Sequence, residues 1–242
     1  MSRYVFQFTK VDGMRFISHL DLQRLFRRVF RRIGVELVFS NGYNPHPRMN
    51  IAQPLSLGFE SESEYLEIET QSPLELEQVL AEANLALPEG ISLVRGTEAE
   101  ASAKNLSSVV DYAEYSAYVA DWNSIDMESA LAQFNLQNKI IVIKREKKAK
   151  KTVEKDVKGM IYLFEGSQLP EGGAMFHMIL RSASNEALNP LLLIESFCRK
   201  IQEPFDREGC RIARRELYRL EESKLVPLYD SCLRAAAADE KF

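Results

Sequence analysis

The same order of strand-like and helix-like segments occurs twice along these 242 residues, and this repetition limits the fold more than any single motif does. Apolar residues alternate with period two in segments that predict strands, and recur with a period near 3.6 in segments that predict helices. In the first half the predicted order is β-α-β-β-α-β, at residues 4–8, 18–33, 35–39, 65–69, 73–84 and 91–95.

The second half repeats that order at residues 112–120, 123–135, 139–144, 175–181, 187–201 and 211–218. A further short strand at 160–164 is expected to form a hairpin with 175–181. Together the two halves predict an α+β protein of two tandem ferredoxin-like (βαββαβ) domains with antiparallel sheets, at residues 1–100 and 110–242. Helices cover one face of the sheet in that fold, and the other face is open to a partner or to RNA.

The first predicted helix combines an apolar face with an arginine face. Ser18 and Asp21 match a capping box, so the helix is expected to begin near His19 and to end at Gly34. Guanidinium groups this close repel each other unless an anion faces them, and phosphate is the usual candidate, although a solvated or salt-bridged basic face is the structural alternative. The apolar positions are Leu22, Leu25, Phe26, Val29, Phe30 and Ile33, and the arginines are Arg24, Arg27, Arg28, Arg31 and Arg32.

A stiff loop, Ser-Asn-Gly-Tyr-Asn-Pro-His-Pro-Arg, follows the helix at residues 40–48. Its two prolines fix φ and its Asn-Gly pair favours a turn. Side chains on a restricted backbone lose less entropy when they bind a ligand. The candidate contacts to a nucleic acid in this loop are Tyr43, Asn44, His46 and Arg48, beside Arg24, Arg27, Arg28 and Arg31 on the helix.

Charge is segregated along the chain. The net charge of −4 excludes a generic polycation, so any nucleic acid must bind at local basic patches. A second patch, Lys-Arg-Glu-Lys-Lys-Ala-Lys-Lys at residues 144–151, is either a solvated hairpin tip or a second set of phosphate contacts, with Lys144, Arg145, Lys147 and Lys148 as the candidates. The acidic residues Glu60, Glu62, Glu64, Glu67 and Glu69 could shield a strand edge, repel wrong partners or bind a basic surface.

Motifs for several chemistries do not occur in the sequence. Cys198, Cys210 and Cys232 lack the spacing of a disulfide framework or of a zinc or iron–sulfur site, and a reducing cytoplasm is the expected location. No apolar stretch approaches the roughly 18 residues of a membrane helix. The sequence also has no GxxxxGK[ST], GxGxxG or HExxH motif, so neither a metal nor a cofactor is predicted for this chain.

Three segments resemble the radical SAM-associated family of uncharacterised proteins. They are Arg-Phe-Ile-Ser-His-Leu-Asp-Leu at 15–22, the loop at 40–47, and Pro-Leu-Ser-Leu-Gly at 54–58 continuing through Ser-Glu-Tyr-Leu-Glu at 63–67. Residues 143–148 and 214–218 resemble later segments of that family. The family is similar to the C-terminal portion of certain large radical SAM proteins, and also occurs as a free-standing chain beside one.

The resemblance implies a radical SAM partner that carries the iron–sulfur cluster and S-adenosylmethionine, because this chain has no cysteine triad of its own. It implies an accessory role in recognising a substrate, for which ribosomal or transfer RNA suits the arginine face. The paired ferredoxin-like halves also resemble, more weakly, the CRISPR repeat-processing endoribonucleases. Those enzymes generally cleave RNA with the help of histidine, so this likeness makes His19 and His46 the candidate acid and base. The third interpretation is a protein-only scaffold that docks an acidic partner.

Overall fold

The computed structural model describes residues 1–99, 104–120, 122, 125–146, 151–170 and 172–232. These residues form two compact units, of which the first joins Met1–Asp111 to the segment that begins at Arg214. The second unit is Tyr112–Ala213. The C-terminal segment therefore belongs with the first unit, whereas the sequence pattern placed it with residues 110–242.

Strands alternate with helices in both units. The first unit contains β1 (Ser2–Lys10), a 3-10 turn (Asp12–Phe16), α1 (His19–Arg32), β2 (Met49–Ile51), β3 (Glu60–Thr70), α2 (Leu76–Ala86), β4 (Ile91–Ala99) and α3 (Leu106–Val109). The second contains β5 (Tyr112–Val119), α4 (Met127–Asn135), β6 (Ile141–Glu146), β7 (Lys151–Asp156), a 3-10 turn (Lys158–Met160), β8 (Ile161–Gln168), β9 (Ala174–Arg181) and α5 (Pro190–Ile201). The chain continues through β10 (Cys210–Glu221) and β11 (Lys224–Pro227).

The sheet of the first unit has β1 at its centre, antiparallel to β4 on one side and to β3 on the other. Phe6 lies opposite Leu66 of β3 and Gly96 of β4. The prediction of a regular strand at 35–39 is wrong, because β2 pairs with the outer edge of β3 at residues 66–68 and leaves room for only single bridges. One of those bridges joins Leu37 to Thr70.

The core of this unit forms between α1 and β1. Tyr4, Phe6 and Phe8 are buried on the face of β1 that α1 covers, and the rings of Phe8 and Phe26 meet edge to face at 4.9 Å. Leu22, Phe26, Val29 and Phe30 are the buried residues of α1, so the predicted apolar face is confirmed. Burying one face of the helix directs its arginines to solvent.

The ends of α1 follow the sequence signals. The Ser18 hydroxyl accepts a hydrogen bond from the Asp21 backbone N–H at 3.2 Å and donates one to the Asp21 carboxylate at 2.7 Å. Gly34 has φ +78°, the left-handed conformation that ends a helix at low cost with glycine. The predicted start and end of this helix are therefore confirmed.

The second unit has the antiparallel strand order β5-β9-β8. The hairpin that was predicted for residues 160–164 and 175–181 is confirmed as β8 and β9. Both edges of β9 are thereby occupied, and β6 pairs with β7 instead. Aromatic residues fill the core, at Trp122, Phe134, Phe164, Phe176 and Phe197.

The mixed α/β class with mostly antiparallel sheets is confirmed by these elements. Among the residues described, no helix has both the length and the apolar character needed to cross a membrane.

The packing of α1 on β1 predicts that Phe26→Ala lowers the free energy of unfolding by about 3–5 kcal/mol, because Phe26 is fully buried and its removal leaves a cavity. Urea denaturation followed by circular dichroism measures the loss. Leu20→Ala is the control on the same helix, and since Leu20 is exposed the change should be within about 0.5 kcal/mol. Equal losses in the two variants would contradict this packing.

Candidate nucleic-acid interface

Four arginines form a continuous stripe along α1. Arg24, Arg27, Arg28 and Arg31 follow the spacing i, i+3, i+4, i+7, and all four are exposed. Residues with this spacing lie on one side of a helix, with neighbouring side chains about 5–6 Å apart at Cβ. The stripe therefore presents four positive charges to solvent over two turns.

Every acidic residue of β3 pairs with an arginine of the same unit. The carboxylates of Glu60, Glu64 and Glu69 lie 3.0, 2.9 and 2.9 Å from Arg15, Arg214 and Arg48, respectively. Glu62 and Glu67 form close ion pairs as well. Their partners are Arg215 and Arg3. The acidic run thus neutralises five arginines of this unit, which the sequence pattern did not reveal.

Three arginines of the stripe have no such partner. Within the described part of the chain, Arg27, Arg28 and Arg31 make no ion pair or side-chain hydrogen bond. Arg24 is different, since its guanidinium lies 2.9 Å from the Asp21 carboxylate. The Ser18 hydroxyl and Arg24 lower the pKa of Asp21, and the more distant charge of Arg28 contributes to the same shift. Arg48 is also partnered, by Glu69. Within the stripe, the positive charge available to an external anion therefore lies on Arg27, Arg28 and Arg31.

The loop at residues 40–48 is closed by hydrogen bonds from its backbone N–H groups. The Ser40 N–H donates to the His46 carbonyl at 2.8 Å, and the His46 N–H donates to the Ser40 hydroxyl at 3.0 Å. The Arg48 N–H donates to the Val38 carbonyl at 2.7 Å. Tyr43, near the tip, is fully exposed. Asn44 and His46 are exposed as well. The loop therefore holds an unburied aromatic ring on a fixed backbone.

A cleft of about 410 Å³ joins the arginine stripe to the segment that leads into this loop. Arg27 and Arg31 line one side, and the exposed ring of Phe39 lies in the same lining. The remaining lining residues are Gly34, Val35, Glu36, Leu37 and Gln71. Gln71 lies beyond the end of β3 and reaches the cleft because its N–H donates to the Glu36 carbonyl at 3.0 Å. Neither Phe39 nor Gln71 was predicted as a site residue.

The two candidate catalytic histidines lie in different settings. His19 occupies the first turn of α1, is partly buried, and has a ring nitrogen 3.3 Å from the Gln23 amide nitrogen. Burial lowers the pKa of His19, which disfavours the imidazolium. His46 contributes backbone hydrogen bonds to the loop. Among the described residues, neither side chain is hydrogen-bonded to a carboxylate. Their role as acid and base stays a prediction.

The lysine-rich patch can be followed in part. Lys144 is exposed on β6, which pairs with β7 from Glu146 opposite Lys151. Lys147 and Lys148 lie outside the described residues, and for Arg145 the backbone alone is described. The patch thus adjoins a hairpin, and its role as a phosphate contact stays a prediction.

A buried polar cluster accounts for several residues that carried the family resemblance. Arg214 is 2% exposed and Glu64 is 1% exposed, and the Arg214 guanidinium also donates to the Gln53 carbonyl at 3.0 Å. Burial raises the pKa of Glu64, whereas the cations of Arg214 and Lys10 oppose that change. Nearby, Glu216 accepts hydrogen bonds from the hydroxyls of Ser63 and Tyr65 at 2.7 Å. These motif residues hold the unit together from inside.

The arrangement defines a mixed α/β protein whose first unit carries a stripe of exposed arginines, three of them without an ion-pair partner among the described residues, beside a cleft. The chain belongs to the family described as an uncharacterised protein conserved in bacteria (DUF2344), whose model matches residues 3–190. That description gives no activity, and it does not tie the chain to radical SAM enzymes. No curated protein matches the chain.

Two solved structures are similar to the chain at a low level. The encapsulated DyP-type peroxidase from Mycobacterium smegmatis is 12% identical over 86% of this chain and 85% of that one, with a TM-score of 0.21. DyPB from Rhodococcus jostii RHA1 is 12% identical over 87% and 89% of the two chains, with a TM-score of 0.22. At these scores the likeness carries no argument about this protein.

The buried cluster predicts that Arg214→Met lowers the free energy of unfolding by about 3–5 kcal/mol, because the Glu64 carboxylate then stays buried without its closest cation. Arg215→Met is a matched control on the next residue, since Arg215 forms its ion pair with Glu62 at the surface and such pairs contribute about 0–1 kcal/mol. Denaturant titration of both variants measures the difference. Similar losses in the two would show that Glu64 does not depend on Arg214.

Proposed function

We propose that this protein is a non-catalytic RNA-binding accessory subunit, which contacts RNA phosphates through the arginine stripe of α1 and the adjoining loop. The observation that supports this proposal most directly is the absence of ion-pair partners at Arg27, Arg28 and Arg31 within the described residues, although the same unit pairs five other arginines with β3. Guanidinium groups bind phosphate oxygens through paired N–H donors. An anionic polymer removes the mutual repulsion of the three charges.

RNA fits this surface better than an acidic protein does, because the surface exposes two aromatic side chains beside its arginines. Tyr43 is fully exposed at the loop and Phe39 is exposed at the cleft. Single-stranded RNA presents unstacked bases that stack on aromatic rings, next to a phosphate at every nucleotide. The scaffold interpretation docks an acidic surface, which accounts for the arginines but not for the two exposed rings. The protein-only scaffold is therefore the less favoured interpretation.

The second part of the proposal is a radical SAM partner, which rests on the resemblance of residues 15–22, 40–47 and 54–67. In this arrangement the partner supplies the iron–sulfur cluster and S-adenosylmethionine, and this chain holds the RNA. Affinity purification of the tagged chain from its own host under anaerobic conditions tests the association. Iron and acid-labile sulfide in the purified complex would support it, and their consistent absence would count against it.

We further propose that each unit derives from a ferredoxin-like domain. In the first unit the order β4-β1-β3, with α1 packed on β1, supports this origin. In the second unit β5 and β9 are adjacent in the same way, but β8 occupies the edge that β6 would take in the ideal fold. In this interpretation β6, which pairs with β7, is the edge strand of the ideal fold, displaced from the sheet by β8.

If the stripe contacts phosphates, replacing its three unpaired arginines should lower the salt dependence of RNA binding. In the Arg27/Arg28/Arg31→Ala variant, the slope of log K against log salt concentration should fall by about 2, since each phosphate contact to a single strand contributes about 0.7. Fluorescence anisotropy of a labelled single-stranded RNA between roughly 50 and 200 mM salt gives the slope.

The control for this experiment is the Lys200/Arg211/Lys224→Ala variant, which loses the same charge from exposed positions outside the stripe and should keep the wild-type slope. An unchanged slope in the stripe variant would overturn the proposed contact surface. The RNA is recovered on a denaturing gel afterwards. Cleaved RNA, dependent on His19 or His46, would replace the accessory role with the endoribonuclease alternative.

A further inference from the structure

The cleft beside α1 is large enough for a ligand and has the lining of a nucleotide site. Its volume of about 410 Å³ falls within the roughly 300–1,000 Å³ of small-molecule sites. The residues that line it carry guanidinium, aromatic, carboxylate and carboxamide groups, at Arg27 and Arg31, Phe39, Glu36 and Gln71. A nucleotide needs complements of these kinds for its phosphate, its base face and its base edge.

The carboxylate of Glu36 is available for hydrogen bonding. Although Glu36 and the two arginines line the same cleft, Glu36 forms no ion pair with them or with any other described residue. An ionised carboxylate accepts hydrogen bonds and cannot donate them. Guanine is the base whose Watson–Crick edge carries two adjacent donors, N1–H and the N2 amino group, so it matches the two oxygens of one carboxylate.

The backbone holds the base-contacting groups in fixed positions. Gln71 is joined to Glu36 by a backbone hydrogen bond of 3.0 Å, and Leu37 is bridged to Thr70 alongside. Phe39 is bridged to Pro47 at the base of the loop, and its side chain remains 45% exposed. A ring that is held by its backbone but only half covered can stack a base without first being uncovered.

We propose that this cleft holds one unpaired guanine nucleotide of single-stranded RNA, with its phosphate on Arg27 and Arg31, its base against Phe39, and its Watson–Crick edge on Glu36. The proposal rests on the proposed RNA-binding function and narrows it to one substrate class. A guanine in a duplex has its Watson–Crick edge occupied and its faces stacked, so paired RNA is excluded from the cleft.

The test uses labelled heptamers of uridine with a central guanosine, with a central adenosine, or with uridine throughout. Wild-type protein should bind the guanosine heptamer about 5- to 100-fold more tightly than the others, and pairing it with its complement should remove the preference. Glu36→Gln should abolish the preference. Phe39→Leu should weaken binding of the guanosine heptamer about 5- to 100-fold, whereas Phe16→Leu, at an exposed ring outside the cleft, should not.

The outcomes separate this proposal from the one on which it rests. Salt-dependent binding of all heptamers alike, unaffected by Phe39→Leu and Glu36→Gln, would overturn the guanine site and leave the phosphate surface in place. No binding of any heptamer would overturn both. Competition by guanosine 5′-monophosphate as strong as that by the unlabelled heptamer would assign the cleft to free nucleotides and reject the RNA assignment.

Discussion

The burial of one face of α1 against β1 is the constraint on which the rest of this structure depends. Phe26 and Phe30 must leave water, and the rings of Phe8 and Phe6 on β1 receive them at 4.9 and 6.0 Å between centroids. The orientation of the helix about its axis is thereby set, and it places Arg27 and Arg31 on the side that lines the cleft. The exposed chemistry of this unit is a consequence of its apolar core.

Charge pairing then separates the arginines of the first unit into two groups. The carboxylates of β3 neutralise arginines from β1, β10 and the loops. One of these ion pairs, between Glu64 and Arg214, is buried. Among the described residues, the stripe on α1 forms no ion pair with that run. Because buried ion pairs cost desolvation and exposed ones contribute little, the paired group adds little net stability. Their difference lies in availability, since only the unpaired guanidinium groups can bind an external phosphate without displacing a carboxylate.

Local features were predictable from the sequence, and long-range ones were not. The limits of α1 follow from Ser18, Asp21 and Gly34, which act within a few residues of the helix ends. The partners of the β3 carboxylates are remote, with Glu64 and Arg214 separated by 150 positions, so no pattern within a window finds them. The cleft has the same origin. Gln71 and Glu36 meet at an edge of the sheet, where β2 pairs with part of β3. Because β2 competes for that edge, residues 35–39 form bridges instead of a regular strand.

The most direct test of the central claim, that RNA lies along the arginine stripe and its adjoining loop, is photocross-linking of a single-stranded RNA that carries a photoactivatable uridine, followed by mass spectrometry of the cross-linked peptides. The account predicts cross-links within residues 24–48, concentrated on the peptides that contain Phe39 and Tyr43. Cross-links confined to other parts of the chain, with none in that segment, would contradict it.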